Sequence, residues 1–433
     1  MQKESVCETK PLKILFVVDK LFNKQDATVG IAKTLTKEWQ KMGHEVVYLC
    51  NTLDAPKTTG NIDCLEFEGV NTYQYEIMTE NYLKDFLKSL EGLGKAAKIR
   101  TYITHPGMWG RIYDFYFAEY KKYAFRVAEH IEQLYKKENF DLIYSISEPH
   151  YSAFAVALAK IPTTCRKRCY LGDPYSHNDN HDYKRARKVE KYILWTVEKV
   201  FTSKNILASY EKDEYFKDYL RKIEAVEFPT FVKPEELEIP FETGFDSSKI
   251  NCVYAGNLFY EMRNPKNMLE LFCQMKGPVL HIFGTGCEEL VEEYVNKSEG
   301  HIIHHGKVAP EQVPQVLNQA DILVNLSSTI PNMVPSKLFQ YFATGKPILN
   351  MCYLKDCPTQ EYTAKHPMAF NIFGDSFDPN QVRSFCENNR GKVAGFDAMK
   401  EIYGEASPEY VAAKLLPNEN DQAAESIQPR WFY

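Results

Sequence analysis

The sequence predicts an α/β protein made of two Rossmann-like, doubly wound parallel-sheet domains facing each other across a cleft. Three observations lead there. Short apolar runs alternate with amphipathic segments along most of the chain, as parallel strands joined by crossover helices require. The alternation breaks around Val226 to Ser248, where prolines interrupt any long element, and then resumes. A length of 433 residues also exceeds what one core usually organises, so two domains are the default expectation.

The first half opens with a β-α-β unit. Ile14 to Val18 is a strand-sized apolar run, a loop carrying Asp26 and Gly30 follows, and "IAKTLTKEWQKMGH" has helical periodicity before the second apolar run "EVVYLC". Further strands are expected at "DLIYSIS" from Asp141, "RCYLGD" from Arg168 and "KVFTS" from Lys199, and a long core helix from about Tyr113. The second half repeats the logic: "NCVYAG" then "PKNMLELFCQM", "VLHIFG" then "CEELVEEYVNK", "HIIHHG" then "PEQVPQVLNQA", "DILVNLS" then "PSKLFQYFATGK", and finally "PILNMCY". Domains are expected at 1–235 and 245–400. A tail at 401–433, with the helical patch "SPEYVAAKLL", is expected to pack back on the first domain.

Composition narrows the function classes. The chain is 44% hydrophobic and 25% charged with a net charge of −6, which excludes a global pull toward nucleic acid. No run of about 18 apolar residues predicts a spanning helix, and the amino-terminal stretch has no signal-peptide pattern. Eleven cysteines occur without CxxC pairs, several in strand-like runs where a free thiol behaves as a small core residue. A reducing cytoplasm is therefore expected, with peripheral contact at the inner face of the membrane as an extension of it.

Polar and glycine positions in the second half cluster after strands, at the edge where doubly wound sheets bind ligands. These are Gly256 and Asn257 with Arg263 beyond them, then Gly284, Thr285 and Gly286, then "HHGKV", then "SSTIPNMVPSK". Glycine lets a ligand approach the backbone, and helix N-termini favour phosphate. Pro335 suits a first helical position, Asn332 or Ser336 can cap, and Gly345 ends the helix. Lys337 and Gln340 share its first turns, and a lysine so near a helix N-terminus is unfavourable unless an anion joins it.

These motifs, "YAGNL…RNPKN", "IFGTG", "HHGKVAPEQVPQVLNQADILVNL" and "PSKLFQYFATGKPIL", stand in the order of GT-B glycosyltransferases. From about Ile250 to Ile372 the chain resembles the nucleotide-binding half of that family, in the group of bacterial transferases that build surface polysaccharides, and the first half is similar in architecture. The resemblance implies a hexosyltransferase that takes a sugar from a nucleotide-sugar donor, UDP-linked, and passes it to a glycan or lipid-linked saccharide, with no cofactor or metal required. It implies donor contacts at Gly256, Asn257, Arg263, Gly284, Thr285, Gly286, Pro335, Ser336, Lys337 and Gln340. Two departures stand out. Asn257 occupies a position where many relatives carry arginine, and the Glu-x7-Glu pair of retaining members is represented by the amides Asn332 and Gln340. The pattern is similar instead to an inverting glucuronosyltransferase subgroup in which Ser-Lys and a following Gln line the nucleotide site.

Inversion calls for a general base in the first domain. Candidates are Glu148 and His150 in "SISEPHYSAF" and Asp173 in "LGDPYSHN", with Asp26 and Gly30 in the first loop as a further place to look. Each has a structural rival: a turn former at Asp173, a helix cap at His150, an ion pair at Glu148. The run "GDPYSHNDNHDY" reads as a loop rather than a metal site. From Lys84 to Arg126 nine Lys or Arg stand against four Asp or Glu among many aromatics, so 92–110 is expected to touch an anionic bilayer surface, with a core helix as the competing reading. A UDP-sugar epimerase on the same fold and a non-catalytic sugar-nucleotide-binding subunit remain alternatives at this point.

Overall fold

The computed structural model describes residues 10–22, 27–51, 64–75, 94, 121–147, 150–173, 175–177, 183–234, 242–374, 377–418 and 421. Asp26, Glu148 and all of 92–110 except Gly94 lie outside these residues. The chain divides into two units, Met1–Glu227 together with Ala412–Tyr433, and Phe228–Val411. Each unit is a parallel-sheet α/β assembly.

The first unit holds eight strands: β1 (Lys13–Val17), β2 (Glu45–Asn51), β3 (Cys64–Phe67), β4 (Val70–Tyr75), β5 (Leu142–Ser147), β6 (Arg166–Leu171), β7 (Lys199–Thr202) and β8 (Ile223–Ala225). Their order is β3-β4-β2-β1-β5-β6-β7-β8, parallel throughout except for β3, which runs antiparallel to β4. Covering helices are α1 (Ala27–Lys41), α2 (Lys121–Glu138), α3 (His150–Leu158), α4 (Tyr183–Thr196) and α5 (Lys204–Glu211). Ile14 to Val17 are all buried, as a strand covered on both faces demands, which is why β1 reads as a continuous apolar run. On α1 the buried stripe runs Val29, Ala32, Leu35, Thr36 and Trp39, the spacing of one helical face. The core helix expected from Tyr113 is α2, whose Ala124, Val127, Ile131 and Leu134 are buried.

The second unit holds β9 (Asn251–Ala255), α6 (Lys266–Gln274), β10 (Val279–Phe283), α7 (Glu288–Lys297), β11 (Ile302–Gly306), α8 (Val313–Gln319), β12 (Ile322–Leu326), α9 (Lys337–Thr344), β13 (Ile348–Cys352), α10 (Pro358–Thr363), β14 (Ala369–Phe373), α11 (Pro379–Asn389) and α12 (Phe396–Tyr403). Its six parallel strands take the order β11-β10-β9-β12-β13-β14. Asn325, Asn350 and Asn371 stand in register on β12, β13 and β14. Their side chains form a hydrogen-bonded ladder, Asn325 Nδ2 to Asn350 Oδ1 at 2.7 Å and Asn350 Nδ2 to Asn371 Oδ1 at 2.8 Å. Hydrogen bonds between the amides tie the three strands in register across an apolar sheet.

Helix α13 (Pro408–Leu415) carries the chain out of the second unit and back into the first. Within the first unit, Trp39 Nε1 donates to Ala412 O at 3.0 Å and Arg168 Nη1 to Leu415 O at 3.1 Å. Arg168, fully buried on β6, forms ion pairs of 2.5 Å with both Glu198 and Asp421. Burial opposes ionisation of Asp421, but the Asn418 amide, Arg168 and Lys199 overcome it and hold the carboxyl well below its ordinary range.

Candidate functional site

In a doubly wound sheet the ligand crevice lies at the carboxyl edge, where successive crossovers leave in opposite directions. In the second unit that point is β9, flanked by β10 on one side and β12 on the other. The predicted donor residues from two of those strands meet there. Lys337, at the start of α9 after β12, donates from Nζ to Ala255 O at the end of β9 at 3.0 Å, and its ammonium group stands 4.0 Å from the centroid of the Tyr254 ring. Tyr341 reaches the same place: its hydroxyl accepts from Ala255 N at 3.1 Å and donates to Ala255 O at 3.3 Å.

Lys337 and Gln340 differ in direction and exposure, where their spacing led us to expect that they project together. At about 100° per residue, i and i+4 differ by about 40° in bearing and i and i+3 by about 60° on the other side. Lys337 therefore points with Tyr341 toward β9, while Gln340 is exposed. The helix also begins at Lys337 rather than Pro335, and Ser336 makes no side-chain cap. The Ser336 carbonyl instead accepts from Thr230 Oγ1 at 2.7 Å, and the Pro335 carbonyl accepts from Leu338 N at 3.0 Å. Asn332 is buried beside this helix start.

Arg263 lies on the loop between β9 and α6. Its backbone pairs with Phe259 in a short antiparallel bridge. The Arg263 Nε is buried without a hydrogen-bond partner among the described residues. Its charge acts on Lys337: burial first, and then Arg263, hold the Lys337 amine well below the ordinary lysine range. Two basic side chains that act on each other, both half-buried, make a site that an anion would stabilise. Tyr353, just past β13, donates to Asn264 O and so anchors the residue next to Arg263.

The glycines have a different reason from the one expected. A Cβ on Gly256, at φ +149°, would fall on Lys337 Nζ; one on Gly284 would fall on Gly256 O; and one on Gly286 would fall on Leu258 O. The loops after β9 and β10 are zipped together, with Gly256 N donating to Phe283 O at 2.7 Å and Leu258 N to Thr285 O at 2.8 Å. Thr285 Oγ1 also lies 3.4 Å from Asn257 Oδ1. The absent side chains thus allow backbone to touch backbone and Lys337 to reach the end of β9.

In the first unit, His150 is buried at the start of α3, its ring stacked on Tyr175 at 4.2 Å. Asp173 is half-buried two residues past β6. The loop after it is anchored by Glu190, fully enclosed, whose carboxylate accepts from Ser176 N at 3.2 Å and is pushed up to about 7 by burial. His177 faces Asp213 at 3.3 Å. Gly30 lies within the first turn of α1 rather than in a loop. The residues that sequence reasoning missed are Tyr254 and Tyr341 around Lys337. Tyr341 could have been found from its i+4 spacing; Tyr254, a strand residue, carries no such signal.

Residues 263–375 match the model of a family described as glycosyl transferase-like. No curated protein sequence matches the chain. Among solved structures, sucrose-phosphate synthase from Thermosynechococcus elongatus is similar with a TM-score of 0.60 at 11% identity, covering 93% of this chain and 97% of that one. Anabaena HepE in complex with UDP-glucose gives 0.53 at 12% identity, covering 93% and 95%. The UDP-GlcNAc 2-epimerase of Methanocaldococcus jannaschii gives 0.56 at 9% identity, covering 93% and 98%. At such identities the likeness is one of fold.

Proposed function

We propose, for a chain of GT-B fold whose second unit carries a glycosyl transferase-like segment, that it is a glycosyltransferase using a nucleotide-sugar donor, UDP-linked. The observation that carries the reading is the Lys337–Arg263 pair at the β9 switch point. Transfer breaks the bond between the anomeric carbon and the donor diphosphate, and negative charge grows on the leaving phosphate. Arg263, and Lys337 once the diphosphate favours its protonation, stabilise that charge where other enzymes use a metal. A diphosphate arriving there also reverses the electrostatic penalty on Lys337, so donor binding and protonation of the amine support each other.

The acceptor in this reading is a glycan or lipid-linked saccharide of surface polysaccharide synthesis, and the enzyme is of hexosyltransferase type. It works in the cytoplasm, a compartment that suits the nine free cysteines among the described residues. Among the described residues no helix is long and apolar enough to cross a membrane. The epimerase reading keeps one specific support, the fold likeness to a UDP-GlcNAc 2-epimerase. Product analysis separates the two, because an epimerase releases free UDP only as a side product.

Thermal stabilisation by a panel of nucleotide sugars tests the proposal. A ligand at one hundred times its dissociation constant raises stability by about 2.7 kcal/mol, and UDP compounds are expected to give the largest rise. No stabilisation by UDP or any UDP-sugar refutes it.

A further inference from the structure

Helix α4, which joins β6 to β7 in the first unit, concentrates charge of one sign. Its 14 residues hold Lys184, Arg185, Arg187, Lys188 and Lys191 against a single carboxylate, Glu190, and that one is enclosed. In a chain whose net charge is −6, this is a local excess. Ala186, Val189, Ile193 and Leu194 are buried, at the spacing of one helical face, so the helix packs inward by that side. At about 100° per residue, Lys184, Lys188 and Lys191 fall within about 60° of one another on the opposite side. Trp195 continues the same line by one more turn. Lys184, Arg185 and Lys188 are exposed, and Lys191 and Trp195 are half-buried.

This arrangement costs the helix stability. Lysines three and four residues apart repel each other, and cations in a first turn oppose the positive end of the helix dipole; the first turn of α4 holds no acidic residue. The nearest carboxylates of the neighbouring 3-10 helix Glu214–Lys222 are committed elsewhere, Asp213 at its start to Arg187 and Glu214 to Lys217. An anionic surface against this side reverses both penalties. Aromatic rings border it. Arg187 Cζ stands 4.7 Å from the Tyr183 centroid and 4.3 Å from that of Tyr215, which Lys191 Nζ also approaches at 4.4 Å. A ring engaged by two cations is not open to stack a base, so the patch lacks the platform that single-stranded nucleic acid needs. Tyr183, 49% exposed at the start of α4, and Trp195 near its end are instead rings of the kind that settle where headgroups meet hydrocarbon.

We infer that this side of α4 is a docking surface for an anionic lipid bilayer, met by Lys184, Arg185, Lys188 and Lys191 at the level of the headgroup phosphates and carboxylates. Binding is electrostatic and reversible. Each basic residue near such a surface multiplies the bound fraction by about fivefold, and the attraction weakens as salt shortens the Debye length, about 10 Å at 0.1 M. The surface lies in the first unit, is separate in sequence from 92–110, and does not rest on the donor-site reading.

The test sediments the full chain with vesicles of phosphatidylcholine alone or with phosphatidylserine at about 30%, at roughly 0.1 M salt. The chain is expected on the phosphatidylserine vesicles and not on phosphatidylcholine, with release at roughly 0.5 M salt. Lys184→Gln, Lys188→Gln and Lys191→Gln combined are expected to cut partitioning about a hundredfold, three factors of about five, with an unchanged circular dichroism spectrum. Lys188→Glu removes two charge units at one exposed position and is expected to cost about twentyfold; it carries the test where the triple variant does not fold. Equal binding to both kinds of vesicle, or partitioning of the folded variants within twofold of the parent, overturns the inference, the second outcome placing any membrane contact elsewhere in the chain. Tighter binding to a DNA duplex than to phosphatidylserine vesicles at the same salt, lost with the same three lysines, overturns it in favour of nucleic acid.

Discussion

Replacing Lys337 by methionine should move stability and ligand affinity independently. Lys337 lies half-buried, its amine 3.0 Å from Ala255 O and 4.0 Å from the Tyr254 ring centroid. Lys337→Met keeps the chain length and its packing over the ring. Ala255 O is not orphaned, because the Tyr341 hydroxyl stays on it at 3.3 Å. The variant loses a cation–π contact of about 0.5–2 kcal/mol but also loses a charge that is costly to bury beside Arg263. The terms oppose, so stability should change by no more than about 1 kcal/mol, or roughly 2–4 °C for a unit of this size. UDP binding has no such compensation. Losing one charge-assisted hydrogen bond costs about 1.5–3 kcal/mol, a fall of tenfold to more than a hundredfold in affinity. Calorimetry reads both the affinity and the protons. Because burial and Arg263 lower the amine and an anion opposes that, wild-type binding should take up protons in the pH range where the amine titrates, when measured in two buffers of different ionisation heat, and Lys337→Met should not. Affinity within twofold of wild type, or a stability loss above about 3 kcal/mol, would mean that Lys337 holds the end of β9 rather than a ligand.

Two further substitutions probe the frame around the sites. Gly256→Ala places a Cβ on Lys337 Nζ at φ +149°; UDP affinity should fall with the amine displaced, and unchanged affinity in the folded variant would refute the steric account. Asp421→Asn should destabilise the first unit at pH 7, toward the lower end of the roughly 3–5 kcal/mol seen when a buried pair is broken, since Glu198 still faces Arg168 at 2.5 Å. The folded carboxyl of Asp421 is depressed below 3.8, so its contribution is present above that pH and disappears as the pH falls beneath it. Urea titrations should show the wild-type advantage at pH 7 shrinking below pH 3.8, and a constant gap across that range would refute the linkage.

The sequence by itself determined the α/β class, the alternation of strands and crossover helices in both halves, and the place of the glycine loops after the strands of the second unit. These are local properties: apolar runs of strand length, helical spacing as on α1, and glycines after strands leave their mark within a few residues of chain. Gly345 illustrates it, ending α9 at φ +67° as its position after the periodic segment implied. The antiparallel β3–β4 pair escaped notice because its residues alternate too briefly to rise above loop composition. What only the tertiary structure decided is which side chains meet. Lys337 joins Tyr254 and Tyr341 and feels the charge of Arg263, and Asp19 gathers Asn51 and Tyr75 from 32 and 56 residues away. Strand order sets those neighbours, and strand order follows from how whole sheets bury their faces, a sum over many distant contacts that no local pattern in the chain encodes.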